Sequence, residues 1–188
     1  MARPKSEDRR NAIIAAATHV IANHGLAAPT ALIAKEAGVS NGSLFTYFET
    51  KADLLNQLYV ELKTEMAAAA LDGVLVDQDV RDQMASMWRG WLGWAIADPE
   101  KRRTLAQLAV SDEITRSSRD VGNRAMAKVS AILERSRETG PMRAAPLGLV
   151  VGLMNAAADA TVDFIVRDPT NAEAHSRAGF EAVWRMIA

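Results

Sequence analysis

The sequence predicts an all-α protein, and three observations carry that expectation. Apolar residues recur at helical spacing, as in Ile13, Ala17, Val20 and Ile21 and again in Leu54, Leu55, Leu58, Leu62 and Met66. Alanine-rich stretches such as residues 67–70 favour helix, and there is little of the β-branched alternation that a half-buried strand requires. Breaks at Gly25, Gly38, Asp72-Gly73, Gly140-Pro141 and Asp168-Pro169 then divide the chain into pieces of ordinary helix length. The 188 residues, 49% hydrophobic and 24% charged, can bury a substantial core as one domain or two small ones.

Each element has a start or stop signal. Ser6 followed by Glu7 and Asp8 reads as the start of a first helix that ends at His24-Gly25. Pro29, with φ already suited to a first helical position, opens a second helix running to Ala37, and Gly38 stops it in a left-handed turn. Ser40 caps the third by accepting from the backbone N–H of Ser43, with Leu44 and Phe48 facing inward four apart. Thr50 and Asp53 form a capping box for a fourth helix, which reaches Asp72-Gly73. Four or five further helices follow, at about 80–97, 99–110, 114–138, 145–166 and 171–187.

The hairpin within residues 33–54 is unusual in what its third helix leaves uncovered. Asn41, Gly42, Ser43, Phe45, Thr46 and Tyr47 lie off the inward stripe, and these small, hydroxylated or aromatic groups suit base edges, thymine methyls and phosphates. A helical hairpin built only for a core would place apolar groups at Asn41, Ser43 and Thr46. In order and spacing, Ile33, Ala34, Ala37, Gly38, Val39, Ser40, Gly42, Ser43, Leu44, Phe45, Tyr47, Phe48 and Lys51 resemble the helix-turn-helix of the TetR repressor family. The likeness covers roughly the first third of the chain. It implies an N-terminal three-helix DNA-binding domain (residues 1–50), a connecting helix (51–72), and a helical ligand-binding and dimerisation domain (73–188).

The resemblance also implies roles. Asn41, Gly42, Phe45 and Thr46 are expected to face bases, and Thr30, Ser43, Tyr47 and Lys51 to hold phosphates of double-stranded, palindromic DNA. A homodimer joined through the last two helices and a repressor released by a small-molecule effector are implied as well. There are departures: Ala28 and Pro29 replace the family's paired hydroxyls, the linker from Gly25 is one residue shorter than usual, and Phe45 stands where Tyr is common.

Net charge is −1, a weak signal for nucleic-acid binding, but Arg3, Lys5, Arg9 and Arg10 outnumber Glu7 and Asp8 at the start of the chain. That segment is either a DNA-contacting arm or a solvated terminus. The absence of cysteine excludes disulfides and thiolate metal sites. The polar N-terminus shows no signal peptide, and the longest uncharged stretch, residues 144–158, is short and interrupted by Gly, Pro and Asn, so a cytoplasmic protein without membrane spans is expected.

Beyond the fourth helix, Met84, Met87, Trp88, Trp91 and Trp94 crowd one segment, either as a central core helix or as the lining of a site for a mostly apolar molecule. Met87, Trp88, Trp91 and Trp94 are the candidate lining residues. Asn155, Asp159 and Asp163 form a polar seam at four-residue spacing; solvent is the expected home of Asp163, while Asn155 or Asp159 is expected to orient the ligand. Leu149, Leu153, Ala156, Ala160 and Phe164, with Phe180, Val183 and Trp184, could form the dimer contact.

No cofactor or metal is expected, and no enzyme. His19, His24 and His175 fall outside metal-ligand or catalytic spacings, and there is no Gly-rich phosphate loop or Gly-x-Ser-x-Gly elbow. Two alternatives stand beside the main reading. One is a DNA-binding protein controlled by a protein partner, for which a second half filled by its own side chains would speak. The other is a helical metal-dependent enzyme built on Asp159, Asp163 and His175.

Overall fold

The computed structural model describes residues 3–188, with side chains from residue 7. Among the described residues ten helices run in order: α1 (Arg3–His24), α2 (Thr30–Glu36), α3 (Asn41–Tyr47), α4 (Lys51–Leu71), α5 (Val80–Ala97), α6 (Pro99–Ala109), α7 (Arg116–Ala125), α8 (Ala127–Ser136), α9 (Leu147–Arg167) and α10 (Ala172–Ile187). A single 3₁₀ turn, Pro169–Asn171, precedes α10, and no strand occurs among the described residues. The chain forms two compact units, one of residues 1–64 and 98–124, the other of residues 65–97 and 125–188.

In the first unit, Ile13, Ala17, Val20 and Ile21 of α1 are buried with Ile33, Leu44, Phe48, Leu54, Leu55 and Leu58. α1 begins at Arg3, earlier than the expected Ser6, because Pro4 sits in the first turn, where its missing N–H costs nothing. α2 begins at Thr30, and Pro29 is its cap rather than its first helical residue: proline fixes φ (−71°) but not ψ, which here is extended at 146°. Gly38, at φ +67°, makes the turn between α2 and α3, and Val39 N–H returns to the Ala34 carbonyl at 2.9 Å.

α6 is packed on α1 through α1's own backbone. The buried Thr104 hydroxyl donates to the Thr18 carbonyl at 2.9 Å, and Gln107 donates to the Ile21 carbonyl at 3.2 Å. At the exposed edge His19 Nδ1 lies 2.9 Å from Glu100, which also accepts from Asn23; these bonds, His19's foremost, hold the Glu100 carboxyl below its usual range. α7 approaches α4 at Gly122, where a Cβ would stand 3.0 Å from the Tyr59 ring and 3.3 Å from Lys63 Cγ. Burial pushes the Tyr59 phenol up, opposed by Arg119, and pushes the Lys63 ammonium down.

The second unit is centred on α5, which packs against α8, α9 and α10. Met84, Met87, Trp88 and Leu92 are buried with Val150, Val162, Phe180, Val183 and Ile187. α10 closes on its neighbours at Gly179, where a Cβ would lie 2.3 Å from Thr161 Oγ1 and 2.9 Å from the Trp88 ring. The turn after α8 is tied by Arg137, whose buried guanidinium donates to the carbonyls of Met142 (2.8 Å) and Ala145 (2.7 Å).

The segment 114–138, expected as one helix, is two. α7 ends at Ala125 and α8 starts at Ala127 with Met126 between, just where the packing partner changes from α4, beneath Gly122, to α5. Ala125, Met126 and Ala127 are strong helix formers, so local propensity does not set the interruption.

Candidate functional site

The α2–α3 hairpin presents a surface that the fold itself does not use. Ser40, extended at the cap, accepts from Ser43 N–H at 3.0 Å, as the sequence predicts. Leu44 and Phe48 are both fully buried, which fixes the rotation of a helix only seven residues long. Asn41, Gly42, Phe45 and Thr46 are thereby exposed, with Ser43, Tyr47, Thr30 and Lys51 half-buried around them. Phe45 leaves 40% of its surface to solvent, an uncommon position for a phenylalanine.

Gly42 is informative for what surrounds it. A Cβ there would meet no heavy atom within 4 Å, and its φ is not positive, so neither packing nor backbone conformation asks for glycine. The Thr46 hydroxyl donates to the Gly42 carbonyl at 3.3 Å and keeps its lone pairs free to accept. Lys51 is the first residue of α4. There Thr50 Oγ1 accepts from Asp53 N–H at 3.0 Å, while Asp53 Oδ2 takes the Glu49 N–H at 3.1 Å, one residue earlier than in a standard capping box.

Of the basic residues near the N-terminus, Arg10 is committed inward. Its guanidinium pairs with Glu61, donates to Gln57 at 2.9 Å and lies 5.6 Å from the Phe48 ring centroid. Arg9 is exposed, and the side chains of Arg3 and Lys5 lie outside the described residues. The arm therefore loses one of its four expected cations to the core of the first unit.

In the second unit the four expected lining residues separate by role. Met87 and Trp88 are buried core, and Trp88 Nε1 donates to the Ser176 carbonyl at 3.0 Å, joining α5 to α10. Trp91 and Trp94 are half-buried against the same core, yet the indole nitrogen of each is buried without an acceptor. The sequence singled out the tryptophans for their bulk; their differing hydrogen bonding has no sequence signal.

Asn155 and Asp159 do not join them. Both are exposed on α9, while Asp163, expected in solvent, is half-buried. The reason is that α9 has two apolar faces: Val150, Ala158, Val162 and Ile165 pack on the chain's own core, and Leu149, Leu153, Ala156, Ala160 and Phe164 are exposed. The polar seam flanks the exposed face rather than lining the inner one. Phe180 and Val183, expected beside that face, are buried inside the second unit, and the exposed side of α10 carries Ala174, Arg177, Ala178, Ala182 and Arg185 instead. A shallow depression of about 550 Å³ lies along it.

α9 is long and apolar enough, by length and composition, to cross a membrane, contrary to the expectation from residues 144–158; 28% of its most apolar stretch is buried. It also carries Asp159 and Asp163, and a carboxylate near a bilayer centre costs about 2.5–3.5 kcal/mol. Asp159, Asp163 and His175 do not form a metal centre. His175 Nε2 lies 3.0 Å from Asp168, and no group of three or more potential ligands is present among the described residues.

Comparison with known proteins agrees with this geometry. Residues 13–58, which run from the middle of α1 to the first part of α4, match the family described as bacterial regulatory proteins, tetR family. The HTH-type transcriptional regulator BetI of Vibrio campbellii is 30% identical over 117 residues, 52% of this chain and 59% of that protein, so the likeness covers less than two thirds of its length. A solved structure assigned to the tetR family of transcription regulators, from Shewanella sp. PV-4, is 26% identical with a TM-score of 0.81, covering 94% of this chain and 96% of that one. A TetR family transcription regulator from Marinobacter aquaeolei VT8 shares the fold at 21% identity and a TM-score of 0.84, covering 97% and 96%.

Proposed function

The chain belongs to the TetR family of DNA-binding transcriptional regulators, and on that premise we propose that it is a cytoplasmic, homodimeric repressor released from a palindromic operator by a small apolar molecule. The observation that carries the reading is the outward face of α3, where Asn41, Gly42, Phe45 and Thr46 are exposed while Leu44 and Phe48 lock the helix from within. Gly42, which nothing inside the protein requires, is explained if a base or sugar approaches the backbone there. Thr30, Ser43, Tyr47 and Lys51 take phosphates, Lys51 with the help of the N–H groups at the start of α4.

Dimerisation follows from affinity as well as from family. A seven-residue helix without Arg or Lys contributes modestly, and two half-sites add their free energies. The exposed apolar stripe of α9 beside the small residues of α10 supports a contact between two copies, since contiguous apolar surface of this kind is unusual on a monomer. In this reading residues 1–50 bind DNA, 51–72 connect, and 73–188 bind the effector and the second copy. The effector lies near Met87, Trp91 and Trp94, and it acts by preferring a state of the dimer whose recognition helices miss successive major grooves.

Selection from random-sequence duplexes tests the proposal. It should return an inverted repeat bound by two chains, with half-sites centred one helical turn or a multiple apart. Recovery of no consensus at low salt would overturn it.

A further inference from the structure

Resting on the effector region just proposed, we infer that Trp91 and Trp94 form its polar end, and that their two indole N–H groups select an apolar molecule bearing a neutral acceptor oxygen, a ketone or ester carbonyl. α5 carries three tryptophans, and the fold satisfies the N–H of one, Trp88, through the Ser176 carbonyl. The other two nitrogens are buried and bond to nothing. Buried donors are almost always paired in folded proteins, and each left unpaired costs about 1–3 kcal/mol, so two on one helix form an unusual concentration of unmet demand.

The spacing makes them a pair. Residues three apart share a helix face, so Trp91 and Trp94 lie on one side of α5, with the buried Met87 on that side one turn earlier. Asn155 and Asp159, which could have offered an acceptor or a carboxylate, are exposed on α9. The polar groups the two indoles themselves offer are donor-only and uncharged.

That fixes the chemistry of the complement. An indole N–H donates and cannot accept, so an ammonium or other donor group gains nothing from it. A carbonyl oxygen has two lone pairs and can accept from one or both indoles without carrying charge into apolar surroundings. An ionised carboxylate would bring a charge that these neutral donors do not balance.

The experiment uses the full chain with 15N-labelled tryptophan and two probes of matched apolar length, 2-nonanone and n-octylammonium. The ketone should move the Trp91 and Trp94 indole N–H resonances downfield and leave that of Trp88 in place. Trp91→Phe and Trp94→Phe should each weaken ketone binding about fivefold to tenfold, while the ammonium binds the parent and both variants poorly. The resonance shift is read on the unsubstituted chain, so it stands even if a variant folds badly. Equal binding of ketone and ammonium, with both moving the Trp91 and Trp94 resonances alike, would overturn the acceptor assignment and leave an apolar site beside the tryptophans; a ketone that perturbs neither indole would overturn the site and the assignment together.

Discussion

At the scale of single residues, the sequence revealed chemistry wherever a side chain acts on its own neighbours. Ser40, Thr50 and Gly38 do in the structure what their types announce, because capping and a left-handed turn depend on atoms within four residues. Asn155, Asp159 and Phe180 were misplaced because periodicity shows that a helix has apolar faces but not which one meets the chain's own core. Ser40→Ala should cost about 1 kcal/mol of stability, read by denaturant unfolding, since Ser43 N–H loses its acceptor. Asp168 offers a pH test. Its carboxyl is held below the ordinary range by hydrogen bonds from Asn171 and then His175, so its contribution is present above that range and lost as pH falls through the lowered value. Asp168→Asn should therefore melt below the parent at pH 7, and the two melting temperatures should converge as pH falls below the ordinary aspartate range.

At the scale of elements, long helices with clear breaks were legible and changes of packing partner were not. α5 falls where its pattern predicts because Asp79 starts it and Asp98-Pro99 ends it, whereas nothing at Met126 announces the interruption between α7 and α8. α6 is a further case: its sequence lies within the C-terminal two thirds, yet Thr104 and Gln107 bond to the backbone of α1. Where helices approach most closely, a methyl group has no room. Gly179→Ala would press a Cβ against Thr161 and the Trp88 ring, and should destabilise the second unit by roughly 1–3 kcal/mol while leaving α1 to α3 folded, measured by hydrogen exchange of the two units. Equal loss of protection in both units would contradict it.

At the scale of the whole molecule, α3 exposes a polar face and α9 an apolar one, and the proposed function gives each a partner, DNA for the first and a second copy for the other. Phe164, 58% exposed on α9, is the large side chain most available for that contact, and Phe164→Asp should shift sedimentation from dimer to monomer at micromolar concentration and weaken operator binding by well over tenfold. The helix-turn-helix pattern was readable because it is a run of fixed residue types at fixed spacing, whereas the unpaired indole nitrogens of Trp91 and Trp94 depend on tertiary packing and leave no trace in the sequence. Sequence reading by α3 is tested most sharply by an anisotropy titration of operator and scrambled duplexes across several salt concentrations with the parent, Lys51→Ala and Asn41→Ala. Lys51→Ala should weaken both duplexes alike and flatten the salt slope by roughly one unit per subunit, while Asn41→Ala should weaken the operator by about 1–3 kcal/mol and leave scrambled DNA unchanged. Equal losses on both duplexes for both variants would show that α3 does not read sequence.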